Sequence, residues 1–388
     1  MFIVLGCSNG TPSETKTNET PSETPTEPAE QTNPVESPND SGMDKKNEFF
    51  KISGKTASIK DIEFLDPIGI MVEEEGTRVR LEPLTVIDNK LYYVYNVPDT
   101  EQNDATRSIH YIDLATSKDH LVMEFDRKVH VSDLVVDGND LILVAYDQVI
   151  HIKDGTWKVI GESLYAIQLA RLNQDVIFVE TTAEPINKHQ VSRTSSVVSY
   201  NIAQQTRSEL KSETCKFNDG LHSSGYEDDC YFSYGDVVQL SDRVLARFNT
   251  KDKTRIEVIQ VGAVKSYEIP ISANDFAYLN NQIILEKFEE PKSIPYIFNL
   301  NNLELKENLV FGSEFNGSIR TISDGKLAIT KFSNSKSFRI YSKLEEDLIH
   351  LDALDNKSYD WLLTKDGFVL YDAEDNILTI HPFKVIFE

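Results

Sequence analysis

The chain has 388 residues, of which 63 are acidic and 39 basic, and its formal net charge at pH 7 is −24. This excess of acid argues against binding to nucleic acid, and against binding of anionic membranes through a globular surface, because both present negative charge. We attribute the acidity to the solubility of an exported protein. About 340 residues follow a polar leading segment, which is enough to bury a large core.

The first seven residues end a short apolar run at a cysteine, Val4-Leu5-Gly6-Cys7. This motif resembles the lipobox of bacterial lipoproteins, in which a small residue such as Gly6 precedes the cysteine. The resemblance implies that an export signal is cut before Cys7 and that the Cys7 thiol receives a diacylglycerol. Leu5 stands where that family usually has a small residue, and the apolar run is too short for a whole signal. We therefore expect the true start to lie upstream; the alternative is a chance apolar start with a free Cys7.

Residues 8–48 are rich in Thr, Pro, Ser and Glu, and the pentapeptide Thr-Pro-Ser-Glu-Thr occurs at 11–15 and again at 20–24. With hardly an apolar side chain, nothing offsets the entropy of ordering this segment, so it is predicted to be a disordered tether. Its coil dimension would be roughly 35 Å. A tether directly after a lipobox is typical of a bacterial surface lipoprotein, held to its membrane by acyl chains alone.

From about residue 49 the chain repeats one unit, and residues 88–114 show it clearly. Asp88-Asn89 is a turn signal, Leu91–Tyr95 is a β-branched and aromatic strand, and Ile109–Asp113 alternates as a half-buried strand does. Runs predicted as inner strands begin at Leu91, Leu141, Val176, Val244, Ile283, Leu327 and Trp361.

These runs start on average about 45 residues apart, with about four strands in each interval, which is the pattern of a β-propeller. Residues 49–388 are therefore predicted to form an all-β propeller of about seven four-stranded blades, with six or eight also possible. One of the strands near Ile62, Ile68 or Arg78 is expected to close the ring with Phe383–Phe387. The order of turns and strands resembles the exported bacterial propellers of the Tol and YWTD-like kinds, although the YWTD tetrapeptide itself is absent. That resemblance implies the fold and a tendency toward binding.

The longest interval contains an irregular segment, residues 211–236, with Cys215 and Cys230. If Cys7 is lipidated, these two form an even pair in an oxidising compartment. A bridge between them would close a loop of about 15 residues and contribute roughly 3 kcal/mol in the chain-entropy model. The alternative is two reduced thiols.

The same segment is rich in aromatic and acidic residues. On a disulfide-closed loop such side chains could bind a sugar or a peptide; they could equally be surface decoration. The predicted binding residues are Tyr226, Asp228, Asp229, Tyr231 and Tyr234.

No complete catalytic motif occurs, and the eight histidines show no metal-ligand spacing, so neither a cofactor nor a metal is predicted. The leading hypothesis is a membrane-anchored, extracytoplasmic, non-catalytic propeller that binds an envelope protein or an extracellular glycan. The alternative is a carbohydrate-active enzyme with paired carboxylates in the central funnel. A third possibility is a purely structural spacer.

Overall fold

A computed structural model of the protein describes residues 59–64, 68–71, 80–97, 106–116, 118–125, 129–187, 190–218, 231–233, 235–289, 292–307, 319–331, 337–342, 347–352, 359–364, 367–372 and 377–387. All of them belong to the second of the two units into which the chain divides, Gly42–Glu388. The predicted anchor Cys7 and the predicted tether, residues 8–48, lie outside the described residues and stay predictions. In the described part of the chain, no helix is long and apolar enough to cross a membrane.

The described strands form seven antiparallel sheets, which we call blades and number in chain order. Blade 1 contains β3 (Arg80–Ile87), β4 (Lys90–Val97), β5 (Thr106–Asp113) and β6 (Lys118–Phe125), and blade 2 contains β7 (Val131–Asp137), β8 (Asp140–Ala145), β9 (Gln148–Lys153) and β10 (Thr156–Glu162). Blade 3 contains β11 (Ala170–Leu172), β12 (Asp175–Asn187), β13 (Gln190–Asn201) and β14 (Thr206–Asn218), and blade 4 contains β15 (Val237–Gln239), β16 (Val244–Asn249), β17 (Thr254–Gln260) and β18 (Ala263–Ile269). Blade 5 contains β19 (Asp275–Leu279), β20 (Gln282–Glu289), β21 (Lys292–Asn299) and β22 (Leu305–Glu307), and blade 6 contains β23 (Ile319–Ile322), β24 (Leu327–Lys331), β25 (Ser337–Ser342) and β26 (Asp347–Asp352).

Blade 7 joins the two ends of the described chain. It contains β27 (Tyr359–Thr364), β28 (Gly367–Asp372) and β29 (Ile377–Phe387), and its outer edge is completed by β1 (Ile59–Phe64) and β2 (Ile68–Met71). β1 pairs with Phe383–Phe387, and β2 pairs with the first part of β29. The predicted propeller, the favoured count of seven blades and the predicted closure near Phe383–Phe387 are confirmed.

The runs predicted as inner strands lie in the second strand of six blades, each between two other strands of its sheet, and the run at Trp361 lies in β27, the first strand of blade 7. The strands that line the central channel are β3, β7, β11, β15 and β23, each the first and innermost strand of its blade. The six second strands carry the runs that begin at Leu91, Leu141, Val176, Val244, Ile283 and Leu327.

The first and the second strand of a blade differ in their environment. All six residues of β8 and of β16 are buried, because neighbouring blades cover both faces of these strands. The channel-lining strands instead carry polar side chains such as Asp133 and Arg171. A search for continuous apolar runs therefore finds the second strand first.

The predicted turns lie where the sequence places them. Asp88 and Asn89 have φ of 49° and 61°, and Asn280 and Asn281 have φ of 47° and 63°. Asn and Asp tolerate this left-handed conformation better than other non-glycine residues, which explains why these pairs connect the first strand to the second in blades 1 and 5.

The hydrophobic core lies between blades rather than at one centre. Phe178 and Tyr200 of blade 3 pack with Val144 of blade 2, and comparable clusters join blades 1 and 2, 3 and 4, 4 and 5, and 5 and 6. A further cluster, which includes Tyr93 and Val369, joins blade 1 to blade 7 and so seals the ring. Each blade is thus held by its neighbours, as radial repetition requires.

Blade 3 departs from the regular pattern. β12 and β13 have 13 and 12 residues, whereas β8 and β9 at the same positions of blade 2 have 6 each. At about 3.4 Å per residue, the additional residues of β12 and β13 extend roughly 20 Å further than strands of the length of β8 and β9. The turn between second and third strands lies at the end of the ring where innermost strands begin, which we call the top face. The projecting part, residues 182–187 and 190–195, is the blade 3 extension.

Candidate functional site

Two parts of the ring were candidates for function: the central channel and the top face. The channel encloses a cavity of about 520 Å³. Its lining is mixed, since aliphatic side chains of β7 and β15 alternate with polar ones. The charged residues that line it are Asp88, Asp133, Arg171, Arg320 and Asp324.

Two aspartates at the top of the channel join neighbouring blades through hydrogen bonds. Asp133 Oδ1 accepts a hydrogen bond from the Leu134 backbone N–H (2.8 Å), and Asp133 Oδ2 accepts one from the Leu169 N–H of blade 3 (2.7 Å). Asp275 repeats this arrangement in blade 5, because its Oδ2 accepts from the Ile319 N–H of blade 6 (3.1 Å). Both oxygens of Asp133 are therefore engaged, and Oδ2 links blade 2 to blade 3.

The channel arginines are also paired. Arg171 donates to the carboxylate of Asp137 at 2.6 Å and to the Val136 carbonyl oxygen at 3.1 Å. Arg320 donates to Asp275 Oδ2 at 2.6 Å. Burial raises the pKa of Asp133 to about 6, although its two backbone hydrogen bonds act in the opposite direction. The cations of the channel thus serve contacts between blades.

A buried acidic group lies beside Asp275 in blade 5. Glu286 is 8% exposed and is the direct cross-strand partner of Asp275. Burial raises the pKa of Glu286 to about 7, and the nearby charge of Asp275 adds to the rise, while Ser293 and two arginines oppose it. Glu286 is therefore a protonatable group inside the fold, and it is not among the described residues that line the channel cavity.

On the top face, Tyr146 has an unusual backbone. It is the first residue of the two-residue turn between β8 and β9, closed by the pairing of Ala145 with Gln148. Its φ is 57°, and the residue is 59% exposed. Turns with positive φ at this position normally use glycine, and an aromatic residue there costs of order 1–3 kcal/mol. An exposed ring held in such a conformation is a candidate binding group.

A second exposed apolar side chain lies near Tyr146. The Ser163 N–H donates to the Asp147 carbonyl oxygen (2.8 Å), and the next residue, Leu164, donates its N–H to the Thr181 carbonyl oxygen (2.7 Å). Leu164 is 50% exposed. These backbone bonds place Leu164 between the Tyr146 turn and the base of the blade 3 extension.

Acidic residues surround these two side chains. Asp147 and Glu162 are exposed, and Glu162 accepts a hydrogen bond from Gln148 at 3.0 Å. We call Tyr146, Leu164, Asp147 and Glu162 the top-face patch. On the extension beside it, Ile186 is 46% exposed and Glu184 is exposed. The top face thus combines apolar anchors with negative charge.

Most of the predicted binding loop lies outside the described residues: Tyr226, Asp228, Asp229, Cys230 and Tyr234. The predicted binding residue Tyr231 is buried, and the Arg255 guanidinium lies 4.1 Å from its ring centre. Burial raises the pKa of Tyr231 to about 12, together with the nearby Glu268. The structure therefore gives Tyr231 a packing role between blades 3 and 4, and its binding role stays a prediction.

Cys215 lies in β14, opposite Arg193 of the blade 3 extension. Cys230 falls outside the described residues, so the disulfide between Cys215 and Cys230 stays a prediction. Because Cys215 and Arg193 are cross-strand neighbours, a bridge from this position would start at the side of the extension.

A charged clamp fixes β14 to blade 4 near this cysteine. Glu257 is fully buried, and one of its oxygens accepts from Lys211 Nζ (2.6 Å) and lies 2.7 Å from Arg255 Nε. The same guanidinium pairs with Glu213 at 2.5 Å. Two cations and two carboxylates thus balance one another here, which is how buried charge is normally accommodated.

No group of three or more His, Cys, Asp or Glu residues in the described ranges is placed to hold a metal ion. Sequence reasoning missed the top-face patch, because attention to turns centred on Asn, Asp and Gly. The signal was present: Tyr146-Asp147 is a two-residue link between two strongly apolar strands, with an aromatic residue in the turn.

Known proteins resemble this chain in solved structures but not in family models or curated sequences. No family model matches the chain, and no curated protein matches it. Among solved structures, the chain is similar to the β-propeller domain of the Trilobed protease from Pyrococcus furiosus, with 12% identity, a TM-score of 0.49, and 80% of this chain and 96% of that chain covered. It is also similar to the Cps50 (Swd1) β-propeller domain of Myceliophteria thermophila, with 13% identity, a TM-score of 0.44, and coverage of 83% and 99%. These likenesses are of fold and say nothing about what this chain binds.

Proposed function

We propose that this protein is an extracytoplasmic, membrane-anchored β-propeller that binds a partner through its top face and does not use its channel carboxylates for catalysis. The observation that carries the proposal is the strained, exposed Tyr146 beside Leu164 at the base of the blade 3 extension. Backbone strain of this kind is retained where it serves a function. The anchor rests on the lipobox-like Val4–Cys7 and the tether after it.

The chemistry of the surface favours a protein as the partner over a glycan. Leu164 and Ile186 are aliphatic and fit a protein surface, whereas sugar rings stack on aromatic faces and need dense hydrogen bonding. The exposed carboxylates of Asp147, Glu162 and Glu184 would attract basic side chains at the rim of such an interface. We therefore infer an envelope protein with a basic contact surface. An extracellular glycan is the other outcome of the test.

The alternative of a carbohydrate-active enzyme rests on the channel carboxylates. Asp88, Asp133 and Asp324 line one cavity, and Asp133 has a pKa raised to about 6, which is the property of a general acid. However, both Asp133 oxygens accept backbone hydrogen bonds, one from Leu134 of its own strand and one from Leu169 of blade 3. This engagement supports a structural role for Asp133 and so favours binding over glycoside cleavage in the channel.

The proposal is tested with the full chain carrying Cys7→Ser, which removes the lipidated thiol and leaves the propeller unchanged. The immobilised protein is offered solubilised envelope proteins and wall or capsular glycans in parallel. We expect retention of a defined basic protein, lost when Tyr146→Asn and Leu164→Asn are combined. Asn accepts the left-handed backbone at position 146, so this variant should keep its fold. Retention that is unaffected by the double variant would refute the top-face assignment.

The anchor is tested separately in an exporting bacterial host. The chain with Cys7 should sediment with membranes and be released by detergent, and the Cys7→Ser form should be soluble outside the cytoplasm. A Cys7→Ser form that stays in the membrane fraction would overturn the lipid anchor but not the binding surface.

A further inference from the structure

Blade 1 brings together a serine, a histidine and an aspartate that none of the preceding functions uses. Ser108 Oγ lies 2.9 Å from His110 Nε2, and His110 Nδ1 lies 2.8 Å from Asp119 Oδ2. Tyr93 donates its hydroxyl to the other oxygen of Asp119 at 2.9 Å. These contacts form a continuous chain from hydroxyl to imidazole to carboxylate.

The strand geometry explains why these side chains meet. Ser108 and His110 are two residues apart in β5, so both point to the same face of the blade. Asp119 lies on the neighbouring strand β6, opposite Ile112, and Ile112 is the next residue of β5 on that face. Tyr93 of β4 is the direct cross-strand partner of His110. Three adjacent strands thus contribute to one site on a rigid sheet.

The protonation states follow from the partners. Partial burial acts to raise the pKa of Asp119, but hydrogen bonds from His110 and Tyr93 outweigh it and hold the pKa below its usual value. Burial and the neighbouring Asp119 raise the pKa of Tyr93, so Tyr93 remains a hydroxyl donor. An ionised carboxylate can only accept, so the proton of a neutral His110 belongs on Nδ1. The bare Nε2 is then left to accept the proton of Ser108.

This is the connectivity that activates a serine: a nucleophile, a base within hydrogen-bond reach of it, and a carboxylate that orients the base. We propose that Ser108 is an activated nucleophile, with His110 as its general base and Asp119 as the positioning residue. This assignment is independent of partner binding at the top face.

The surroundings indicate the class of reagent. The ring of Tyr95 lies 5.2 Å from that of His110, and Tyr95 is the cross-strand partner of Ser108. Leu121, 54% exposed, is the cross-strand partner of His110. Aromatic and aliphatic side chains around a polar centre suit small aryl esters of carboxylic acids. Asp119, with a side chain 45% exposed, lies at the solvent side, and Ser108 is 9% exposed.

The covalent step balances with groups that are present. Ser108 Oγ attacks the ester carbonyl carbon as its proton passes to His110 Nε2, and the bond from that carbon to the aryl oxygen breaks as His110 returns the proton to the leaving phenolate. Water, deprotonated by His110, then attacks the acyl-serine; the acyl–Oγ bond breaks, His110 returns the proton to Oγ, and the carboxylic acid leaves. With a fluorophosphonate, the Oγ–P bond forms as the P–F bond breaks, fluoride leaves, and the hydroxyl proton passes through His110 to solvent.

The test uses the full chain carrying Cys7→Ser, a fluorophosphonate probe and p-nitrophenyl acetate. We expect a single adduct on the peptide that contains Ser108, and release of p-nitrophenol. Ser108→Ala should abolish both, and His110→Gln should slow labelling about 100-fold or more, the usual contribution of a general base. Labelling by the wild-type chain should rise with pH in a sigmoid curve that His110→Gln removes, a readout that a purely structural role would not produce.

Ser199 supplies a matched control, because its hydroxyl donates to a carboxylate, Asp175, at 2.9 Å. Ser199→Ala should leave labelling at Ser108 unchanged. The fold of each variant is checked by its urea midpoint. An adduct on any residue other than Ser108, no adduct on the folded wild-type chain, or equal labelling rates with and without His110 would each overturn the proposal.

Discussion

Replacement of Glu286 by Gln tests whether a buried acid sets the pH dependence of this propeller. Glu286 is 8% exposed, and its pKa is raised to about 7 from an ordinary 4.5, mainly by burial. The native state therefore binds its proton more tightly than the unfolded chain does. Stability from this group is fully present below pH 4.5 and is lost as the pH rises through 7.

The magnitude follows from the difference between the two pKa values. A native value of about 7 against 4.5 corresponds to about 3 kcal/mol of folding free energy lost between acid and pH 8. Glutamine carries no charge at any pH and has nearly the same shape as protonated glutamate. About 0.8 kcal/mol of this is already lost at pH 5, so the free energy of unfolding of Glu286→Gln should rise by about 2.5 kcal/mol relative to the wild-type chain between pH 5 and pH 8.

The assay is urea denaturation at pH 5 and pH 8, comparing the change in midpoint between the two pH values. The change in midpoint between the two pH values is free of any pH-independent effect of the substitution. Comparing this change with that of the wild-type chain removes the titration of other groups such as Asp133. The control is Glu289→Gln on the same strand, since the Glu289 side chain is 47% exposed and pairs with Lys287 on the surface. If both variants change equally between the two pH values, burial of Glu286 is not the cause.

Two further substitutions test contacts between blades 3 and 4. Gly235 has φ +83°, and an added Cβ would lie 1.8 Å from the Ala166 carbonyl oxygen. Gly235→Ala should therefore shift this connection and lower the free energy of unfolding by several kcal/mol. Gly262 has φ +74° and open space around it, so Gly262→Ala should lower the free energy of unfolding by only about 1 kcal/mol, as measured by thermal unfolding. A similar loss for both glycines would show that backbone conformation alone, and not the approach of Ala166, is responsible. Lys211→Met leaves the buried Glu257 with one cation fewer and should lower the free energy of unfolding by about 2–4 kcal/mol. Lys287→Met removes the cation of the exposed pair with Glu289 and should lower it by less than about 1 kcal/mol. Equal urea midpoints for these two lysine variants would contradict the clamp.

Much of the fold follows from local sequence patterns. The pairs Asp88-Asn89 and Asn280-Asn281 identify turns because their side chains tolerate positive φ, and the spacing of apolar runs gives seven blades. The closing strand was also predicted: one of the strands near Ile62, Ile68 or Arg78 was expected to pair with Phe383–Phe387, and β1 pairs there.

The position of each strand within its blade did not follow from those patterns. The run at Leu141 is continuous because both faces of β8 are covered, and this burial depends on the neighbouring blades. The innermost strand β7 is marked by Asp133, whose carboxylate binds a backbone group of blade 3. A partner so distant in the chain leaves no periodic signal in the sequence.

The candidate sites were the least predictable part. The Ser108–His110–Asp119 chain depends on the register of β5 with β6, which shifts between Ile109 and His110. Tyr146 stands out only once its φ of 57° is known. Both features rest on backbone geometry, and residue type alone gives no sign of it.

The central claim is that a partner binds the top face, and the most direct measurement is its affinity for three forms of the chain. These are Cys7→Ser alone, Cys7→Ser with Tyr146→Asn, and Cys7→Ser with Trp157→Asn. Trp157 is 67% exposed and lies at the turn between β9 and β10, at the opposite end of the ring. Isothermal titration with the captured partner should show at least a tenfold weaker Kd for Tyr146→Asn and an unchanged Kd for Trp157→Asn. The reverse pattern, with loss of binding at Trp157 only, would contradict the account.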